Sequence, residues 1–366
     1  MAEKTGKRLE KAVKNFFINL LAAVISDGKN IKVKPAAEIK SVLVIRPDRL
    51  GDFILTVPAI QLLKKNLEPG AKLTIMCGTR GLDTAKLYFP DCRIIVRKKG
   101  IINFKLCVLK TAFRHDAVIN FHSYPFSMTS AMLTLFTFCG VRIGFKETQS
   151  VKNVLAPKIY NKGIVLNDDA LHETEKNFAL LSVLGIKADA EKIQPEAPDP
   201  GRQAADDADA FIAAFKDAGK FIIIHPSLLK KDNRWEQERY AEFAKMASDN
   251  GINVAAVAGM GEQDEMQKFK KMCAGTERIY YYPYSDIAHL LALGKKSACT
   301  VCNDSGIMHL FSLACPVVAV FGPSVLSRWK PIGPFNNICI QKEDKKCMSV
   351  SAKEVLSAVR ENYLRV

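Results

Sequence analysis

The sequence predicts an α/β protein with two domains, each built around a doubly wound parallel sheet. Three observations predict this class. A chain of 366 residues is longer than one hydrophobic core usually supports. Short apolar runs alternate with amphipathic stretches in both halves, the pattern typical of parallel sheets covered by helices. Between the halves, residues 187–209 lose apolar periodicity and are rich in Ala, Pro, Asp, Glu and Gly, which indicates a linker that runs into the acidic start of a helix.

The first half contains four apolar runs of strand type, separated by stretches with helical periodicity. The predicted strands are 41–46, 73–77, 94–96 and 117–121. The predicted helices are 53–65, 79–88, 104–111, 127–139 and 172–184. We expect Pro58 to kink the first helix and Gly185 to cap the last. The helix 127–139 is apolar all round and too short for a membrane span, which indicates a buried helix.

The alternation resumes after the compositional change. The predicted strands are 221–225, 253–258, 278–281 and 317–321, with another around Cys299 and Cys302. The predicted helices are 237–248, 262–273, 285–293 and 352–364. The expected organisation is an N-terminal extension 1–35, an N-terminal domain 36–190, a linker 191–209, a C-terminal domain 210–345 and a C-terminal helix 346–366. We expect the two domains to be Rossmann-like and to face each other across a cleft that holds the functional site.

The composition is in the ordinary range of soluble globular proteins, with 48% apolar and 25% charged residues. The sequence shows neither an apolar run long enough for a membrane span nor a secretory signal. Ten scattered cysteines in mostly apolar contexts suit reduced, buried thiols. Cys299 and Cys302 form one C-x-x-C, but residues three apart in a strand face opposite sides and no second pair is suitably spaced. No metal site is therefore expected.

The formal net charge of +15 implies an acidic partner, such as nucleotide phosphates, an anionic glycolipid, a membrane surface or a nucleic acid. Residues 1–40 contribute nine Lys/Arg against four Asp/Glu. Apolar residues recur there at helical spacing from Leu9 to Val24, next to a basic start. This amphipathic segment is equally compatible with lying on an anionic bilayer and with packing against the body of the protein.

Residues 301–324 carry the most specific functional signal in the chain. The turn at residues 303–306 follows a strand and opens a short helix whose free N–H groups suit an anion. His309 lies four residues after Ser305, on the same helix face. A buried strand then ends at Gly322-Pro323-Ser324. Two polar loops at the carboxyl ends of such strands would hold a phosphate-bearing ligand; the alternative is two ordinary turns with capping side chains.

Motifs of other nucleotide-binding classes are missing from the sequence. No G-x-G-x-x-G follows a strand, since Gly259-Met260-Gly261 lacks the third glycine, and no G-x-x-x-x-G-K-[ST] is present. A dinucleotide-dependent dehydrogenase or a P-loop enzyme is therefore poorly supported.

Several polar segments resemble a known family in the right order along the chain. Residues 44–52, VIRPDRLGD, continuing to 56–60, TVPAI, resemble the N-terminal signature of glycosyltransferase family 9, the heptosyltransferases that build the lipopolysaccharide inner core. Further matching segments are Arg142-Ile143-Gly144-Phe145, His172-Glu173, His225-Pro226-Ser227 with Arg234-Trp235, 303–309 and 321–324. Residues 1–40 fall outside the resemblance.

This resemblance implies a GT-B fold with the donor bound mainly by the second domain and the acceptor by the first. The implied reaction is inverting, metal-independent transfer, without a cofactor, of a heptose-like sugar from a nucleotide donor such as ADP-heptose to a lipopolysaccharide core or related glycolipid. The implied partners are a nucleotide sugar, an anionic glycolipid and the cytoplasmic face of the inner membrane, which the protein would contact peripherally. No nucleic-acid partner is expected.

Asp52 is the candidate general base, since a sugar hydroxyl must lose a proton as it attacks. Its alternative role is a helix N-cap. The candidate acceptor-binding residues are Arg49, Gly51 and His122.

The candidate donor-binding residues come from several loops of the second half: Ser227, Lys231, Arg234, Glu262, Asp304, Ser305, Gly306, His309 and Ser324. Backbone N–H groups at Ser305 and Gly306, with Ser324, would hold the diphosphate, and Asp304 would accept from sugar hydroxyls. His309 would donate to a phosphate or the sugar, or else bond a backbone carbonyl. Lys230, Lys231 and Arg234 supply cations opposite the leaving group. Asn233 departs from the family, where this position is often lysine.

Glu262 and Asp264 are candidates for contacting the nucleotide ribose and are equally compatible with solvated surface positions. Two other functions stay open from the sequence. One is a GT-B enzyme with another nucleotide sugar, either a transferase or an epimerase. The other is a non-catalytic basic protein that binds a membrane surface or nucleic acid, although the aromatic and basic interleaving of single-strand binders is lacking.

Overall fold

The computed structural model describes residues 31–123, 126–148, 156–166, 170–188, 195–217, 219–226 and 233–364. The chain divides into two compact units, residues 1–193 and 194–366. Most of the predicted N-terminal extension, residues 1–30, lies outside the described residues.

Unit 1 is built on a five-stranded parallel sheet with the order β3-β2-β1-β4-β5. Its strands are β1 (Ser41–Arg46), β2 (Lys72–Gly78), β3 (Arg93–Arg97), β4 (Ala117–Asn120) and β5 (Val141–Ile143). A second, two-stranded sheet pairs β6 (Phe145–Thr148) with β7 (Ile164–Leu166). The first four strands were predicted from sequence. The last three strands, which span three or four residues each, were not predicted.

The α-helices of unit 1 cover the sheet, and short 3-10 helices lie at Ala36–Glu38, Thr79–Gly81 and Ser182–Leu184. The α-helices are α1 (Leu50–Ile54), α2 (Val57–Asn66), α3 (Leu82–Tyr88), α4 (Ile101–Thr111), α5 (Met128–Leu135), α6 (Ala156–Ile159) and α7 (Glu173–Leu181). The single kinked helix predicted at 53–65 is therefore two helices. Pro58 lies in the first turn of α2, where its missing N–H costs no hydrogen bond, so it starts a helix instead of kinking one.

The core of unit 1 lies on both faces of the five-stranded sheet. Val42, Val44 and Ile60 lie on one side, and Leu43 and Ile45 lie on the other; all are fully buried. Strand β1 is buried on both faces because it is the central strand and helices cover the sheet, which explains its unbroken Val/Leu/Ile run.

Unit 2 repeats this plan with a six-stranded parallel sheet of order β10-β9-β8-β11-β12-β13. Its strands are β8 (Phe221–Ile224), β9 (Asn253–Ala256), β10 (Ile279–Tyr281), β11 (Cys299–Asn303), β12 (Val317–Phe321) and β13 (Ile338–Gln341). Numbered within the unit, this is the order 3-2-1-4-5-6 of the Rossmann fold, and unit 1 shows its 3-2-1-4-5 portion. Two Rossmann-like domains are therefore present, as predicted.

The α-helices of unit 2 are α8 (Arg202–Ile212), α9 (Gln237–Asp249), α10 (Gln263–Met272), α11 (Ile287–Gly294), α12 (Gly306–Phe311), α13 (Leu326–Trp329) and α14 (Ala352–Tyr363), with a 3-10 helix at Cys347–Ser349. Helix α8 begins inside the segment predicted as a linker and packs on α11 through Ala204, Ala208 and Ala292. The C-terminal helix α14 belongs to the core of unit 2, where Val355 and Val359 are fully buried.

All ten cysteines are free thiols, and eight of them are buried. Among the described residues, no helix is long and apolar enough to cross a membrane. Within the same residues, no group of three or more His, Cys, Asp or Glu side chains is placed to hold a metal ion.

Candidate active site

The polar side chains singled out in the sequence follow the central strands of each sheet. In both units the strand order reverses at the central pair, β1 with β4 in unit 1 and β8 with β11 in unit 2. Loops that leave the carboxyl ends of such a pair run in opposite directions and open a crevice, where doubly wound proteins bind ligands. Each unit therefore has a candidate site at its own switch point.

In unit 1 a buried arginine organises this crevice. Arg46, the last residue of β1, is almost completely buried, and its Nη1 donates to the Phe121 carbonyl. Its Nε lies 3.3 Å from Asp48 Oδ2, and its Nη2 lies 3.3 Å from Asp52 Oδ1 and 4.0 Å from Glu173 Oε2. One guanidinium thus holds carboxylates from the β1 loop, helix α1 and helix α7. A buried arginine needs such partners because an unpaired buried charge is strongly destabilising.

Asp52 lies in the first turn of α1 and is not the N-cap, a position that Arg49 occupies without a side-chain cap. The pKa of Asp52 is raised. Burial is the largest cause, Arg46 acts against it, and the negative charges of Asp48 and Glu173 raise the pKa further. A carboxylate with a raised pKa is a stronger base than a free aspartate.

The pKa of the neighbouring carboxylate, Asp48, is shifted in the opposite direction. Burial alone would raise its pKa, but the hydrogen bond from His122 and the charges of Arg46, His122 and Arg49 outweigh burial and lower the pKa. His122 Nδ1 lies 2.6 Å from Asp48 Oδ1, and the His122 backbone N–H donates to Asn120 Oδ1. The pKa values of two carboxylates on one arginine are thus shifted in opposite directions. This pattern distinguishes a carboxylate that accepts a proton from one that stays ionised.

Glu173 completes the group from the start of α7. It is fully buried, accepts a hydrogen bond from the Ser123 hydroxyl at 2.7 Å and receives Lys176 Nζ at 3.2 Å. Helix α7 is placed by a capping box in which the His172 ring accepts from the Thr174 N–H and Glu175 accepts from the His172 N–H. The candidate residues Arg49, Gly51, Asp52 and His122 therefore lie at one end of the sheet, in the loops after β1 and β4 and in the first turn of α1.

In unit 2 an asparagine joins two candidate residues from different strand ends. Asn233 Nδ2 donates to Asp304 Oδ2 at 3.1 Å and to Ser324 Oγ at 2.9 Å. The next residue but one, Trp235, is fixed beneath by its backbone N–H, which donates to Asn303 Oδ1 at 2.8 Å. The amide of Asn233 thus bridges the loops after β11 and β12.

Helix α12 places the other residues of the diagnostic block. Ser305 is its N-cap, and its Oγ accepts from the Met308 N–H at 3.4 Å, so the capping role considered from the sequence is present. Gly306 is the first helical residue. His309 lies on the same helix and is buried. The Ser324 loop is held from behind by Gln341, whose Nε2 donates to the Gly322 and Ser324 carbonyls.

Glu262 lies in a different part of the crevice. It is largely buried and accepts from His225 Nε2 at 2.8 Å and from the Gly259 N–H at 2.7 Å, which links the loops after β8 and β9. Asp264 is exposed, as the surface alternative predicts. The loop that carries Glu262 and the loops that carry Asp304 and Ser324 all follow strands of the six-stranded sheet.

The predicted cations are only partly described. Ser227, Lys230 and Lys231 lie outside the described residues. Arg234 is partly exposed, and its Nη1 lies 3.9 Å from Glu236 Oε2.

One family of known proteins matches most of this chain. The family model for glycosyltransferase family 9 (heptosyltransferase) matches residues 111–356, about two thirds of the chain. The chain belongs to glycosyltransferase family 9. It is therefore a glycosyltransferase, and its two Rossmann-like domains give it a GT-B fold.

Relatives of this glycosyltransferase are known from sequence and from structure. A Haemophilus influenzae protein named “Putative glycosyltransferase” is 25% identical over 313 residues, which cover 80% of this chain and 86% of that protein. A glycosyl transferase family 9 structure from Veillonella parvula has a TM-score of 0.72 at 20% identity and covers 90% of this chain and 99% of its own. The E. coli ADP-heptose lps heptosyltransferase II has a TM-score of 0.69 at 18% identity, covering 88% and 98%.

Sequence reasoning missed four residues that shape the site of this family 9 enzyme, namely Arg46, Asp48, Glu173 and Asn233. Arg46 and Asp48 stand inside the quoted signature, and the available signal was a charged residue ending a fully apolar strand. Glu173 gave no such signal, because an acidic residue in the first turn of a helix is ordinary. Asn233 was noted as a departure from lysine, but its bridging role depends on the path of three loops.

Proposed function

We propose that this family 9 glycosyltransferase transfers a heptose-like sugar from a nucleotide sugar, ADP-heptose or a close relative, to a lipopolysaccharide core or related glycolipid. The observation that carries the proposal is Asp52, a partly buried carboxylate with a raised pKa in the crevice of unit 1. The name of the E. coli relative, which includes both ADP-heptose and lps, supports this choice of donor and acceptor.

Asp52 acts as the general base in this proposal. The acceptor hydroxyl gives its proton to Asp52 while its oxygen forms a bond to the anomeric carbon of the donor. The bond from that carbon to the diphosphate oxygen breaks in the same step, and the diphosphate leaves with the electron pair. A single displacement of this kind inverts the anomeric centre. Asp52 is favoured over Asp48 because their pKa values are shifted in opposite directions.

The donor is held by unit 2 in this proposal. The backbone N–H groups at Ser305 and Gly306 and the Ser324 hydroxyl bind the diphosphate, with His309 as a further donor. Asp304, fixed by Asn233, accepts hydrogen bonds from sugar hydroxyls. Glu262, fixed by His225 and the Gly259 N–H, accepts from the ribose.

The charge of the leaving diphosphate is offset by protein cations, so that transfer needs no metal. The proposed cations are Lys231 and Arg234, and Ser227 adds a hydrogen-bond donor. Arg49, Gly51 and His122 bind the acceptor on unit 1. An anionic glycolipid acceptor places the enzyme at the cytoplasmic face of the inner membrane, as a peripheral protein.

The first experiment measures thermal stabilisation and turnover over a panel of ADP- and UDP-sugars that includes ADP-heptose. We expect stabilisation by ADP-heptose, and we expect Asp52→Asn to lower kcat by about 100- to 10,000-fold while donor binding is unchanged, because only proton transfer is removed. The matched control is Asp91→Asn, which removes an exposed carboxylate paired with Lys64 in the same unit. The proposal is wrong if no nucleotide sugar stabilises the protein or if Asp52→Asn turns over normally.

The pH profile separates a base from a structural carboxylate. Since the pKa of Asp52 is raised, the acid limb of kcat/KM should lie above the usual range of aspartate, and activity should fall as Asp52 becomes protonated. The residual activity of Asp52→Asn should lack this limb. An unchanged acid limb in the variant would assign it to another group.

A further inference from the structure

An apolar stripe faces solvent along helix α4 of unit 1. Ile102 is 74% exposed, Leu109 is 69% exposed, and Leu106 between them is also exposed. These three residues are spaced four and three apart, so they lie on one face of the helix. The opposite face of α4 is already used, since Cys107 and Thr111 are buried against the sheet. The core of unit 1 therefore does not include the side chains of the outer stripe.

Aromatic rings extend the stripe beyond the end of the helix. Phe113 is 78% exposed although its backbone is fixed, because its N–H donates to the Thr137 carbonyl at 2.8 Å. Its φ of 56° lies in the left-handed region, which is unusual for a bulky side chain. The ring stacks on Phe138 with centroids 4.6 Å apart and planes within 4°. The fold thus holds a large apolar side chain outward at a backbone cost.

The surroundings of the stripe are strongly basic. Residues 93–115 contain seven Lys/Arg and no Asp/Glu. On a helix with 3.6 residues per turn, Lys105 and Lys110 fall on either side of the stripe, and both are exposed. Lys98 and Lys99, directly before the helix, are exposed as well. An apolar strip between two basic margins is the arrangement by which a helix lies in the interface of an anionic bilayer.

The charge also disfavours two other occupants of this face. If a second copy of the chain docked through the same face, the seven cations of residues 93–115 in one copy would face the same seven in the other. Residues 1–30 carry six Lys/Arg against three Asp/Glu and are therefore basic too. Ile31, the first described residue after that segment, lies near Gly140, since a Cβ at Gly140 would lie 3.1 Å from Ile31 Cδ1. Gly140 is two residues from Phe138, on which Phe113 stacks. Like charges oppose docking of either partner, whereas anionic headgroups complement the face.

We propose that the outer face of α4, together with Phe113, docks the enzyme on an anionic lipid bilayer. The apolar side chains enter the boundary between headgroups and acyl chains, and the flanking lysines contact lipid phosphates. This proposal deepens the membrane location suggested by the proposed function, but lipid binding can be measured without sugar transfer.

The experiment is flotation of the full chain with vesicles of phosphatidylcholine alone or mixed with equal parts of phosphatidylglycerol. The wild-type protein should float only with the mixed vesicles, and less as salt is raised. The double variant Ile102→Ser/Leu109→Ser should bind about tenfold more weakly, and Lys105→Gln/Lys110→Gln should also bind less.

Matched controls change the same residue types elsewhere. Val165→Ser/Met348→Ser removes two exposed apolar side chains, and Lys268→Gln/Lys271→Gln removes two exposed lysines. Both controls should bind like the wild type. Each of four results would overturn the proposal: no binding to the mixed vesicles; equal losses in the controls; loss only when Lys7 and Lys11 are changed to Gln; or a wild-type dimer that Ile102→Ser/Leu109→Ser makes monomeric.

Sugar transfer to a delipidated acceptor keeps this test separate from the proposed function. The α4 variants should transfer sugar normally in that assay, because no α4 side chain has been placed at the donor, the acceptor or the base. A protein that binds the vesicles but transfers no sugar would refute the proposed function and leave the docking face standing.

Discussion

At the scale of single residues, the site depends on polar groups that each connect separate parts of the chain. Asp52, Asp304 and Ser324 were singled out as candidates in the sequence because the carboxyl ends of parallel strands share one edge of a sheet. Their partners Arg46, Glu173 and Asn233 were not, since a contact across the fold leaves no local pattern. Arg46 alone gave a usable signal, a cation ending an apolar strand.

Asn233 provides a prediction at this scale. Asn233→Ala removes the donors to Asp304 and Ser324 and should weaken ADP binding by about tenfold, since each lost hydrogen bond costs about 1 kcal/mol. Asn233→Lys supplies a charged donor at the same position and should strengthen ADP binding by a similar factor. Isothermal titration calorimetry measures both effects. Asn362→Lys adds the same charge on an exposed face of α14 and is the control; equal ADP affinity in all four proteins would contradict the prediction.

At the scale of elements, most strands and helices were predicted, including the three-residue strand β10, but strands β5 to β7 were not. Strands β5 to β7 are three or four residues long. Helix α8 buries only small side chains, Ala204 and Ala208, so its polar composition resembles a linker. Two buried alanines in three turns are too weak a pattern to show from the sequence how far α8 extends or that it packs on α11.

Helix α8 is also held on α11 by an ion pair that titrates. His289 Nε2 lies 3.1 Å from Asp207 Oδ2, and its Nδ1 lies 2.7 Å from Asp286 Oδ2. Burial alone would lower the pKa of His289, but the two carboxylates outweigh it and raise the pKa. The contribution of this pair to stability is therefore complete below the unfolded pKa of about 6.5 and is lost as pH rises through the raised folded pKa.

The pH dependence of unfolding tests this element. Between about pH 6 and about pH 9 the wild-type protein should lose more thermal stability than His289→Gln, in which the titrating group is absent. The difference between the two proteins isolates His289 from the other histidines. Identical curves for both proteins would show that the pair contributes nothing measurable to the docking of α8.

At the scale of the whole molecule, each unit has its own sheet and its own core, and the same strand order recurs in both. The sequence predicted this repetition because apolar alternation survives in both halves. The boundary between the units, at residues 193 and 194, falls inside the segment 187–209, where the composition of the chain changes.

Both tryptophans of the chain, Trp235 and Trp329, belong to unit 2, so tryptophan fluorescence reports on that unit alone. If unit 2 binds the donor, ADP at about 100 times its Kd should stabilise it by about 2.7 kcal/mol. For a unit of this size that raises the fluorescence midpoint by about 5 to 10 °C. Guanosine diphosphate is the control nucleotide. A midpoint that ADP leaves unmoved would contradict donor binding by unit 2.

The buried group around Arg46 has a further consequence for proton transfer. Two cations, Arg46 and Lys176, face three carboxylates, Asp48, Asp52 and Glu173. Burial and the negative charges of Asp48 and Glu173 raise the pKa of Asp52, so this group favours the side of the step on which Asp52 holds the proton of the acceptor. The same charges that make Asp52 a stronger base therefore oppose the later release of that proton.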